Sequence, residues 1–142
     1  MSNKKYRILP SETIVINGKT LYRIEALYDL CHDIKQGKKG GYVETEKNLS
    51  QEGYCWIDED AKVFGNARVS GNAQVFGSAQ VYDNARVIGE AWVYGDAQVY
   101  NNATIGGEAK VIGPAQIFGD ATISGKAIVS RDARISGNAH VC

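Results

Sequence analysis

Histidine is scarce in this chain, which has only His32 and His140. Two imidazoles fall one short of the three-histidine zinc centre that hydrates carbon dioxide, so that activity is excluded. An excess of charge of either sign is also lacking. Lysine and arginine together number 16, and so do aspartate and glutamate. The balance holds locally, with nine basic and ten acidic groups in residues 1–60 against seven and six in residues 61–142. A protein that grips a nucleic acid polymer normally carries a basic face that displaces condensed counterions. No such face is found here, and a polymer of that kind is not an expected partner. Three cysteines, Cys31, Cys55 and Cys142, are odd in number and lack metal-ligand spacing. No metal site is therefore expected, and an intracellular, reducing location fits. No apolar run approaches the length of a membrane helix, and the opening MSNKKYRILP lacks the apolar segment of a signal peptide. A cytoplasmic protein without a membrane partner is expected.

What the chain does have is a repeat, and repeats decide the fold before any other feature. From Ala61 to Ala139, alanine recurs every six residues without a miss, fourteen times. Two residues after each alanine stands Val or Ile, from Val63 to Val141. Two residues further on, glycine fills ten of thirteen places, the exceptions being Asp83, Asn101 and Arg131. A β-branched residue suits a pleated strand and points inward. Alanine points inward where the corner is tight, and Gly followed by Asn or Asp suits left-handed backbone angles. Three such sides close a triangular coil of 18 residues, and coils stack at the ordinary strand spacing of about 4.8 Å. The fold class is therefore all-β, a parallel β-helix whose regular hexads run from 61 to 142. Periodicity alone does not fix its hand. Cys55 is expected inward, where later repeats use alanine.

Residues flanking each inward Val or Ile point outward, and those 18 apart share a face. The first face carries Lys62, Gln80, Gln98, Gln116 and Arg134 beside Phe64, Tyr82, Tyr100, Phe118 and Ser136. The second carries Arg68, Arg86, Thr104, Thr122 and His140, and is otherwise small and polar. The third clusters Phe76, Trp92, Tyr94, Ile112 and Ile128. Stacked aromatics can stabilise neighbouring rungs within one chain. Two apolar stripes on one prism favour burial between subunits, and a homotrimer is expected.

Residues 1–50 read as an N-terminal cap and residues 51–142 as the β-helix. Within the cap, TIVI and TLYRI flank Asn17-Gly18, a two-residue hairpin turn signal, so a hairpin is expected over 5–24. Leu27, Leu30, Cys31 and Ile34 predict a short amphipathic helix over 25–36. Gln36 to Gly41 reads as a loop, and Val43 and Leu49 open an irregular first coil. No matching cap is expected after the last repeat, and its open rung is expected to be able to stack on another subunit.

Chemistry is sparse. His32 stands beside Asp33, which could orient its imidazole as a general base; His140 lies on the polar face. Lys35, Lys38 and Lys39, with nearby glycines, could meet a phosphate, although they lack the spacing of a P-loop. The repeats hold no extruded loop.

Gly40-Gly41-Tyr42-Val43-Glu44, then Asn48-Leu49-Ser50-Gln51-Glu52-Gly53 and Cys55-Trp56-Ile57, followed by the Asn-Ala-x-Val-x-Gly hexads, resembles the YdcK-like hexapeptide-repeat proteins of bacteria and phages. That resemblance covers nearly the whole chain. It implies a left-handed β-helix, a trimer, and a phage or prophage origin. Its members are commonly labelled acyltransferases, a label that follows the fold, and fold does not fix function. The leading expectation is a trimeric binding or scaffolding protein without a certain cofactor. Tyr82, Tyr100, Phe118, Trp92, Tyr94 and Ile112 would supply interface or stacking surface. Arg68, Arg86, Lys38 and Lys39 would meet a small anionic ligand or nucleotide. The alternative is an O- or N-acyltransferase using acetyl-CoA or another acyl-CoA, with His32 as base. A third reading is a rigid rod that stacks end to end.

Overall fold

The computed structural model describes residues 4–142, so the first three residues of the expected cap lie outside it. The chain opens with an antiparallel hairpin, β1 (Tyr6–Ile16) and β2 (Lys19–Ala26), turning at Asn17-Gly18 as its sequence demands. The pairing slips between Leu9 and Thr13, where Pro10 has no amide to give to a ladder. β3 (Lys39–Val43) pairs antiparallel with β2 and parallel with β5 (Lys62–Val63), so the hairpin extends one side of the solenoid.

After β4 (Trp56–Ile57), every six residues contribute one two-residue strand, from β5 through β18 (His140–Val141). These strands form three parallel sheets, and each strand pairs with the one a coil away. The first sheet aligns Lys62, Gln80, Gln98, Gln116 and Arg134. The second aligns Arg68, Arg86, Thr104, Thr122 and His140. The third aligns Trp56, Gln74, Trp92, Lys110 and Ile128. Amides bond carbonyls of the next coil, Lys62 N–H to Ala79 O at 2.9 Å and Phe64 N–H to Val81 O at 3.0 Å. The result is a parallel β-solenoid of short strands on three sides. The inward alanines and Val or Ile residues from Ala61 to Ile123 are at most 1 % exposed. A buried column this regular makes a one-residue slip prohibitive, because it would turn every core side chain outward.

Two sequence expectations need correction. Residues 25–36 form no helix: β2 runs to Ala26, and tight turns follow. Leu30 N–H donates to Ile34 O at 2.8 Å, and Gln36 N–H to the Asp29 carboxylate at 2.8 Å. A dozen residues are marginal as a helix without strong packing, and aspartates bond local backbone instead. Leu30 and Ile34 are both buried, so the spacing that suggested a helix face is met by a turn. The expected loop over 36–41 is likewise in part a strand. A Cβ on Gly40 would stand 2.4 Å from Ile57 O, and one on Gly41 2.5 Å from Ala61 O. Those glycines mark where β3 lies against the first coil.

The first coil is irregular, as its sequence suggests. Val43 pairs with Val63 and Leu49 with Val69, each 20 residues on, whereas Ile57 pairs with Val75 after 18. The two extra residues are absorbed between Leu49 and Ile57.

Candidate functional site

Outward side chains of the first sheet build an aromatic ladder. Phe64, Tyr82, Tyr100 and Phe118 stack with ring centroids 5.1 Å apart at each step and planes within 6° of parallel. The spacing is that of the rungs themselves, because each ring leaves its strand at the same register. Burial pushes the Tyr82 phenol above its usual pKa, helped by neighbouring Tyr100 and Asp83. Past the adjacent corner, the amides of Asn66, Asn84 and Asn102 hand hydrogen bonds along the axis to Asp120, at 3.1–3.2 Å.

The third face differs. Phe76 and Tyr94 stack at 4.6 Å, and Trp92 stands edge-on to both at 6.0 and 6.4 Å. Lys110 Nζ sits 4.8 Å above the Trp92 ring. Trp92 and Ile128 remain 37 and 65 % exposed. They line an open depression of about 530 Å³ with Glu90, Glu108, Lys110 and Lys126. Ile112 is half-buried in the same column as Tyr94.

On the second face, Arg68 and Arg86 are exposed cross-strand neighbours in register. Neither makes an ion pair among the described residues. They border a concavity of about 720 Å³ that also receives Lys19 from the hairpin turn and Lys47 from the short 3-10 turn Glu46–Asn48.

A family model, the YdcK beta solenoid repeat, matches residues 61–77, 79–95 and 115–131. The chain is a β-solenoid repeat protein of the YdcK type. No curated protein matches it.

The YdcK-type solenoid distributes the sequence-derived candidates over separate surfaces. Tyr82, Tyr100 and Phe118 share the ladder of the first face; Trp92, Tyr94 and Ile112 lie on the third face; Arg68 and Arg86 occupy the second. Lys38 is ion-paired to Asp58 at 3.3 Å and Lys39 to Glu12 at 2.6 Å, so both charges are already engaged within the chain. His32 is exposed on the turn segment, and no hydrogen bond or ion pair joins it to Asp33 among the described residues. The small cavity beside it, about 160 Å³, is lined by Cys31, Asp33 and Ile34 rather than by the imidazole. His140 is exposed in the second sheet. Among the described residues, no three His, Cys, Asp or Glu side chains gather as a metal site would require. No helix there is long and apolar enough to cross a membrane.

Sequence reasoning missed two buried polar groups at the first coil. Lys5 is fully buried, its Nζ donating to Cys55 O at 2.8 Å, to Glu52 O and Gly53 O at 3.2 Å, and meeting Cys55 Sγ at 3.1 Å. Cys55 is indeed inward and buried. Asn48, also buried, accepts from Glu44 and Thr45 amides and donates to Gly65 O and Ala67 O. Nothing in a lysine near the chain start signals such a role. Lys19 and Lys47 were also overlooked, since only the fold brings them to the arginines.

Proposed function

We propose that this YdcK-type solenoid is a binding and scaffolding protein that self-associates as a homotrimer through its third face and takes a small anionic ligand. The observation that carries this reading is the exposure of Trp92 and Ile128 beside mixed charges, Lys110 and Lys126 with Glu90 and Glu108. Large apolar side chains grouped on one face favour burial against another copy, and a patch with both charges can complement itself under rotational symmetry. Native mass spectrometry of the purified chain is expected to give a trimer. A double variant, Trp92→Glu with Ile128→Glu, is expected to give a monomer with unchanged circular dichroism. A wild-type monomer at micromolar concentration overturns the assembly, and mass that grows without limit favours end-to-end rods instead.

Binding is preferred to acyl transfer on the state of the imidazoles. A general base must be held within reach of the acceptor it deprotonates. His32 is exposed without a bonding partner among the described residues, and the hexads follow one another without an extruded loop. Incubation with acetyl-CoA and a panel of hydroxyl and amine acceptors tests the alternative. Turnover that His32→Ala abolishes without loss of stability would favour the enzyme.

A further inference from the structure

We infer that the concavity between the hairpin turn and the second face is a binding site for a phosphoryl group carried on a small molecule, a phosphate ester or anhydride. Four cations border it from four separate elements. Arg68 and Arg86 come from adjacent rungs, Lys47 from the 3-10 turn, and Lys19 from the start of β2. The one acid on its wall, Glu44, is already committed. Its Oε1 accepts from the Gly65 amide at 2.8 Å, and its other oxygen lies 3.8 Å from Lys19. One carboxylate against four cations leaves a local excess of three positive charges in a chain whose formal net charge is zero.

The arginines make the stronger case. Like charges directly opposite on neighbouring strands destabilise a sheet. Arg68 and Arg86 are such partners, in register, with no counter-ion among the described residues. The next two rungs of the same column carry Thr104 and Thr122, so the guanidinium pair is confined to the rungs beside Lys47 and Lys19. Guanidinium groups bind phosphate through paired, charge-assisted hydrogen bonds, and a phosphoryl group presents oxygens in several directions at once. Donors arriving from four elements suit that tetrahedral distribution better than a flat carboxylate. The Asn66 amide at the same wall could add a further hydrogen bond.

This inference rests on the ligand-binding half of the proposed function and is independent of self-association. The probe is inorganic pyrophosphate, titrated calorimetrically into the full chain at low ionic strength, with citrate as the carboxylate comparison. Wild type is expected to bind pyrophosphate saturably and at least ten-fold more tightly than citrate. Arg68→Gln and Arg86→Gln are each expected to weaken pyrophosphate at least ten-fold, whereas Arg134→Gln, on the first face, leaves it unchanged. Lys47→Gln, at an exposed turn position, gives the same readout should an arginine variant fold poorly. Pyrophosphate binding that survives all three substitutions overturns this site and leaves a binding function elsewhere standing. Equal affinity for citrate overturns the phosphoryl assignment. No pyrophosphate binding at millimolar concentration overturns the inference, while a trimer mass in the same sample would leave the assembly intact.

Discussion

Lys5 illustrates how one side chain closes the irregular end of a regular fold. The enlarged corner between Leu49 and Ile57 turns several carbonyls away from the ladder, and the ammonium of Lys5 collects three of them. Replacing it with methionine keeps the stem and strips the donor, leaving buried acceptors without partners. Lys5→Met is expected to lower unfolding free energy by about 2–4 kcal/mol, read from urea denaturation midpoints. Beside it, Tyr6 is buried and its hydroxyl donates to Leu49 O at 2.6 Å. Burial, then the nearby Glu46 and Cys55, raise this phenol well above its ordinary 10.0. The folded state therefore holds the proton that the unfolded chain loses, so this stabilisation is complete below pH 10.0 and declines above it. Lys5 acts oppositely: burial lowers its pKa from 10.5, so its contribution improves as pH climbs towards that value. The stability deficit of Tyr6→Phe is accordingly expected to shrink as pH rises past 10.0, measured as the wild-type minus variant difference. A deficit independent of pH would mean that Tyr6 ionises freely in the fold.

The hexad corner is the element on which the solenoid depends. Every sixth residue from Gly53 to Gly137 has a positive φ, including the non-glycines Glu59, Asp83, Asn101 and Arg131. Those four are not equivalent. Asp83 and Asn101 bond each other at 3.1 Å, and Asn101 Oδ1 accepts from the Gly119 amide at 3.1 Å, so local hydrogen bonds offset their strained backbone. Arg131, at φ 62°, has no comparable bond among the described residues. A left-handed conformation costs an ordinary residue about 1–2 kcal/mol, part of which glycine returns as chain entropy. Arg131→Gly is therefore expected to raise stability by about 0.5–1 kcal/mol, while Asn101→Gly brings no gain; calorimetric melting of both separates them. Gly95→Ala should do harm, because its Cβ would stand 2.7 Å from the Gly113 amide nitrogen of the next coil. A loss of about 2 kcal/mol or more is expected in the same melts.

For the molecule as a whole, stacked coils touch only their neighbours, so stability accumulates rung by rung. Burial of the inward column is complete through Ile123 and relaxes at Ile135 and Val141, which are partly exposed. Ile105→Ala, at a fully buried central rung, is expected to cost about 2–5 kcal/mol, and Ile135→Ala distinctly less. Native-state hydrogen exchange should show the same gradient, with amides of the final rungs opening before those near Val99. Uniform protection would argue that assembly, rather than the single prism, sets the stability of those rungs.

The sequence by itself determined the repeat architecture, because each hexad states its own geometry locally. Alanine and a β-branched residue say what points inward, and Gly or Asx says where the chain turns. Asn17-Gly18 declared the hairpin in the same way, since a turn is specified by the residues that make it. Segments without a local signature were decided by tertiary structure. The stretch 25–36 carries an apolar spacing that suits a helix as well as a packed turn, and the hydrogen-bond partners supplied by Ala26, Lys5 and Asp29 chose the turn. Individual aromatic columns were legible from an 18-residue period. The charge cluster was not, because Lys19 and Lys47 lie far from Arg68 and Arg86 in sequence and have no periodic relation to them. Only the pairing of β3 on the first coil swings the hairpin turn over that face, and long-range pairing of this kind leaves no trace in local composition.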